Sequence, residues 1–337
     1  MALADLLKPR LTELGKIKIG GKETKVRKTA SGGEWRAPVK LDHFRVTTLQ
    51  RNQQGDLIDD DAIMDRLVKD YGDSDGRLRQ IPIALLSDEP DDVMQSAWVC
   101  YAGKRVAARS DGKTVEWFFD RESRKWLDTP ITEPFSDDIP AMTDNRGAAM
   151  FKLHTTFNCV ITTNDSRWGG VYKFRTTSRI SADQLYGSLL HLRELTRGVL
   201  AGLPLRLVVR PIQVAPEGKA TTVYVVHVEL RGPDFTAIQD MAAKMLAAKV
   251  ANSRAIEESK AEYRKLLVAP GYETDQAEII DVVEEFHPDQ VDMEEAPPTN
   301  GEAVIDDLLR ETHAPESEPP NSSEPDAGPD DDDENTF

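Results

Sequence analysis

The chain has 337 residues, with 42 Lys and Arg against 59 Asp and Glu, a formal net charge of −17. This length holds one large domain or two small ones. No apolar run approaches the roughly 18–20 residues that a membrane helix needs, so no spanning segment is expected. The opening MALADLLKPRLTEL is amphipathic and carries Asp5, unlike the apolar core of a signal peptide. Two cysteines, Cys100 and Cys159, exclude a disulfide framework. A soluble, cytoplasmic protein is expected.

The charge is unevenly spread. Residues 271–337 hold 23 acidic side chains and one basic one, Arg310, which leaves the first 270 residues at +5. Residues 1–50 carry 11 Lys and Arg against 5 acids, and residues 151–211 carry 9 against 3. A basic body beside an acidic tail suggests a nucleic-acid partner and an interaction tail. The body is less basic than a dedicated duplex binder.

In chain order, residues 1–30 read as a short helix and then a mobile Gly/Lys-rich loop. Residues 35–50 alternate as a strand, and Ile63, Met64, Leu67 and Val68 space a short helix over 61–70. RQIPIALLSDEPDD gives a buried strand and a turn. Residues 96–120 read as a β-meander turning at Ala102-Gly103-Lys104 and Ser110-Asp111-Gly112. Residues 127–147, rich in Pro and Asp, read as an exposed loop. AMFKLHTTFNCVIT and GGVYKFRTTS are strands, followed by a helix over 181–197 with Ser181 and Gln184 as its capping box. LPLRLVVRPIQVA and ATTVYVVHVELRG form a hairpin. A long helix then runs to about Val268 and stops at Pro270-Gly271.

The expected fold is α+β: an antiparallel β-rich core, compatible with an OB-like barrel, then a long C-terminal helix and a disordered acidic tail. Its parts are a β-rich half with a basic loop at 1–130 and a join at 131–149. Strands, capped helix, hairpin and long helix fill 150–270, and the disordered tail spans 271–337.

No catalytic constellation emerges. The G-x-S-x-G, H-E-x-x-H, Rossmann and kinase signatures are absent from the sequence. His43, His154, His191, His227, His287 and His313 share no metal-ligand spacing, and Cys159 and His154 fall on opposite strand faces. Neither enzyme activity nor a metal or cofactor is expected.

Nucleic-acid chemistry has candidates. Sequence-tolerant binding of single strands needs cations along a groove and aromatic faces for stacking. RWGGVYKFRTTSR supplies Arg167, Trp168, Lys173, Arg175 and Arg179. Alternation puts Lys173 and Arg175 on one face and Tyr172 and Phe174 on the other, toward a core. Lys16, Lys18, Lys25, Arg27, Trp35 and Arg36 form a second cluster. The chain ends in Asp330, Asp331, Asp332, Asp333 and Glu334, and its last residue is Phe337. This ending resembles the tails of bacterial and phage single-stranded-DNA-binding proteins. In that class the tail competes with DNA for the basic body and docks on replication and repair enzymes. A short apolar island at 302–311 is a further docking candidate.

GGVYKFRTTS, the leucine-rich helix after it, LAGLPLRLVV and TTVYVVHVELRG resemble a bacteriophage family, the recombination directionality factor-like proteins. PRLTELGKIKIGGK and KLDHFRVTTLQR extend the likeness to residues 8–50 and 150–232, with the tail outside it. The resemblance implies phage DNA metabolism in the host cytoplasm. Named members bind a large serine integrase and switch it from integration to excision. The cysteine cluster of many relatives, which suggests metal, has no counterpart in residues 101–158. Two roles follow: a single-stranded-DNA binder that recruits replication and recombination proteins through its tail, and an integrase-binding directionality factor. Oligomeric state, a homo-oligomer included, is not legible.

Overall fold

The computed structural model describes residues 10–28, 34–53, 55–120, 123, 125–143, 149–163, 167–215, 220–232, 234–251 and 253–287. Side chains are described for all of these except 22–28, 34–38, 253 and 254.

The Gly/Lys-rich segment is a strand. β1 (Glu13–Lys28) pairs antiparallel with β2 (Glu34–Arg51), with Ile17 opposite Val46 and Lys18 opposite Arg45. Its glycines and threonines suggest a loop. The alternation of buried Ile17 and Ile19 with the lysines decides otherwise, because it lets one strand face meet a core. Gly15 is required by close approach: a Cβ there would sit 2.4 Å from the Thr47 carbonyl oxygen. Gly15→Ala should therefore cost about 1–3 kcal/mol by overpacking. It should appear as a lower urea midpoint at unchanged slope.

β3 (Leu57–Asp59) precedes α1 (Asp61–Tyr71), whose N-cap Asp60 accepts from the Ile63 amide. β4 (Gln80–Ala84) and α2 (Pro90–Val93) lead into a meander. Its strands are β5 (Met94–Ala102), β6 (Arg105–Ser110), β7 (Thr114–Asp120) and β8 (Lys125–Pro134). The expected loop from 127 is thus partly strand. β8 is an exposed sheet edge, where Pro130 is tolerated.

β9 (Lys152–Ile161) and β10 (Val171–Thr176) precede α3 (Arg179–Leu195). α3 is capped by Ser178, which accepts from the Ser181 amide, rather than by Ser181. β11 (Leu205–Val214) and β12 (Thr221–Leu230) form the expected hairpin. The single long helix is two, α4 (Phe235–Ala251) and α5 (Ser253–Arg264).

The largest difference lies past Gly271. α6 (Gln276–Phe286) belongs to the folded body, N-capped by Asp275, with Val282 and Val283 buried. The net acidity of 271–337 concealed it. Its own Ile279, Val282, Val283 and Phe286 form an apolar stripe that Ala97, Val99 and Tyr101 cover.

Along the sheet the strand order is β3-β2-β1-β10-β9-β5-β6-β7-β8, and β4 joins β9 to the β11–β12 hairpin. β1 and β10 run parallel and every other pairing of these strands is antiparallel, giving a mixed α+β fold. Among the described residues the path is open from β3 to β8 and does not close into a barrel. The main core fills one sheet face, where Ile17, Phe44, Val46, Phe157 and Phe174 meet Leu185, Leu189 and Leu192 of α3. The opposite face is polar on β1, β2, β9 and β10, and beside them Ala97, Val99 and Tyr101 of β5 form an apolar patch. Among the described residues, no helix is long and apolar enough to cross a membrane.

Candidate functional site

Pairing and pleat assemble the polar face. Lys16 lies opposite Lys173 in the parallel β1–β10 register, with Thr47 of β2 and Asn158 of β9 flanking them. The next row on that face carries Arg45, Lys18, Arg175 and Thr156. Lys16, Lys18, Lys173 and Arg175, four of the sequence candidates, therefore converge, while Tyr172 and Phe174 are buried on the other side.

These cations are not open to solvent. α6 lies over them, and each meets a carboxylate. Lys16 pairs with Asp281, and Lys18 lies 2.9 Å from Glu285. Lys173 lies 2.7 Å from Glu278 and 2.9 Å from Glu13. Arg175 donates to Glu278 and lies 3.6 Å from Glu13. Arg51 of β2 joins them, pairing with Asp281 and, at 2.7 Å, with Glu284.

Burial sets the electrostatics. It pushes the Lys16 ammonium down to about 7, with the nearby Arg175 charge adding to the shift. Burial opposes the Arg175 charge too. Glu13, Glu278, Glu273 and Glu285 outweigh it and hold the guanidinium above its ordinary range. Glu278 is likewise penalised by burial, yet Arg175 and Lys173 keep its carboxyl below the usual range. Burial raises Glu273.

A histidine pair closes the C-terminal end of α6. His154 and His287 are both buried, with their Nε2 atoms 2.9 Å apart and rings stacked at 11°. Tyr101 and Phe286 meet the His154 ring edge-on, and Lys152 donates to the Phe286 carbonyl at 2.7 Å. Burial, then Lys152, lowers His287 to about 3. Burial, then His287, Lys152 and Arg175, holds His154 well below 6.5. Both rings are neutral at pH 7. Among the described residues, no group of three His, Cys, Asp or Glu side chains is placed to hold a metal.

This seating of α6 is finely balanced. Burying Val282 and Val283 supplies about 1.5–3 kcal/mol each. Around the same interface, five buried polar atoms have no hydrogen-bond partner among the described residues: Glu13 Oε1, Tyr101 Oη, Asn158 Oδ1, Arg175 Nε and Glu273 Oε2. Each orphan costs at least about 1 kcal/mol, which offsets much of the apolar gain. α6 does not fill the space over the sheet either. A cavity of about 640 Å³ adjoins its C-terminal half, and one of about 280 Å³ adjoins its N-terminal half.

The remaining candidates lie elsewhere. Lys25, Arg27, Trp35 and Arg36 are in the β1–β2 ribbon, with Arg27 opposite Trp35 and Val26 opposite Arg36 in the backbone register. Arg167 and Trp168 lie on the exposed segment before β10, Arg167 3.1 Å from Asp60 and Trp168 68% exposed. Arg179 opens α3 and faces Asp183 at 3.8 Å. The tail residues Asp330, Asp331, Asp332, Asp333, Glu334 and Phe337, and the island at 302–311, lie outside the described residues.

Sequence reasoning missed Glu13, Arg51 and the four acids of α6. Glu278, Asp281 and Glu285 at i, i+3 and i+7, behind an Asp275 cap, did carry a helix signal. No curated protein and no solved structure matches the chain. The Gp3-like family model, described as recombination directionality factor-like, matches residues 14–231, from β1 through β12. With nearly the whole sheet and its packed helix inside that match, the chain belongs to the Gp3-like, recombination directionality factor-like family.

Proposed function

We propose that this protein is a directionality factor in phage DNA recombination. It acts without chemistry of its own, by binding a large serine integrase and turning it from integration to excision in the host cytoplasm. The observation that carries this reading is the family match over 14–231. The internal pairing of Lys16, Lys18, Lys173 and Arg175 supports it too, since with α6 seated those charges already have partners.

The test mixes purified chain and integrase without DNA, then with integrative and excisive site pairs. A complex is expected in gel filtration, together with stimulated excision and inhibited integration. Neither a complex nor a change of direction would sink the proposal.

A second reading, direct contact with single-stranded DNA, is favoured by the convergence of four cations on one sheet face. In this reading Trp168, 68% exposed, supplies a stacking surface. The acidic residues 330–334 and Phe337 recruit replication and recombination proteins.

A further inference from the structure

We infer that α6 is a displaceable cover over a groove that takes a nucleic-acid phosphate backbone. The inference rests on the second reading above and adds its regulation. The groove floor is the face bearing Lys16, Lys18, Lys173 and Arg175. Strand residues two apart repeat at about 6.6 Å, and neighbouring strands lie about 4.8 Å apart. The cations thus form a lattice suited to an extended polyanion rather than to one small ion. α6 imitates that polyanion, since Glu278, Asp281 and Glu285 succeed one another at about 4.5–6 Å along its axis.

Three independent observations make the helix a cover rather than a permanent part of the core. First, the Arg175 side chain is only 7% exposed, yet its Nε has no partner among the described residues. The floor therefore keeps a buried donor that the helix carboxylates leave unused. Second, cavities adjoin both halves of α6, so the groove exceeds its occupant. Third, the floor strands lie within the family match at 14–231, whereas α6 lies beyond it. When α6 lifts, Glu13 stays on the floor and tempers the cations, which favours a reversible, salt-sensitive complex.

The test is fluorescence anisotropy of a labelled oligothymidylate at matched salt. Full-length chain is compared with its E278Q/D281N/E284Q/E285Q variant. The variant should bind roughly tenfold tighter, corresponding to a wild-type open fraction of about 0.1. Adding Lys18→Gln and Lys173→Gln should abolish the gain. Hydrogen exchange on the unmodified chain supplies a measurement independent of variant folding. Saturating oligonucleotide should strip protection from 276–286 while β1 and β10 gain it.

Equally tight binding by wild type and variant would overturn the cover and leave DNA contact standing. No binding by either at low salt would overturn both. Full protection of α6 beside bound oligonucleotide would also overturn the groove. Displacement of α6 by heparin but not by oligothymidylate would overturn the nucleic-acid assignment in favour of another polyanion.

Discussion

Arg175→Met is expected to destabilise the folded body by about 3 kcal/mol, the lower end of the range for breaking a buried ion pair. The Arg175 side chain is 7% exposed and sits between Glu13 and Glu278, both mostly buried. Removing the guanidinium leaves two carboxylates sharing Lys173 alone. Release of α6 rehydrates Glu278 and caps the loss, but Glu13 is fixed on β1 and stays uncompensated. Urea unfolding reads the effect. Adding Glu278→Gln should recover at least about 1 kcal/mol, since the pair is coupled. Arg179→Met is the control, because its exposed partner Asp183 makes a pair worth well under about 1 kcal/mol. Equal, small losses at both arginines would show that the buried cluster does not hold the fold.

Acidification should release α6 before the sheet unfolds. Seated His287 titrates at about 3, whereas a released histidine titrates near 6.5. The lowered value means that the seat contributes its full stability above about pH 6.5 and loses it as pH falls toward 3. At pH 5.5 the loss is about 1.4 kcal/mol from His287 alone, and His154 shifts in the same direction. The charges acting on the pair are cations, Lys152 from β9 and Arg175 from β10, with Tyr101 of β5 against both rings.

Other groups act differently. Glu278, held low, adds to the acid loss below about 4.5. Glu273, raised by burial, works in the opposite direction. Lys16, lowered to about 7, acts between 7 and its ordinary 10.5, above the histidine window. Hydrogen exchange, corrected for intrinsic rate, should show residues 276–286 losing protection between pH 7 and 5.5 while β9 keeps it. His287→Phe, which retains a ring without a proton site, should flatten the dependence. Equal protection at both pH values would refute this acid release of α6.

Most strands were legible because their signal is local. The β11–β12 hairpin, the meander, β10 and α1 each carry alternation or helical spacing within a short window, bounded by Gly, Pro or Asp. The separation of Tyr172 and Phe174 from Lys173 and Arg175 follows from the two-residue period alone. Errors arose where composition averaged over unlike neighbours. Glycines hid β1, and the net charge of a long acidic stretch hid an eleven-residue helix with its own apolar stripe.

Read alone, the chain establishes which residues are basic, the strand face that Lys173 and Arg175 share, and the family to which the body belongs. Whether those charges are free was decided only by tertiary structure. Lys16 and Asp281 are 265 positions apart and Lys18 and Glu285 are 267 apart; no local window contains either pairing. The parallel register of β1 on β10 brings four cations together, and the chain returns 100 positions after the end of β10 to set α6 upon them. Charge pairing in a fold depends on distance in space, and periodicity along a chain carries no information about that distance.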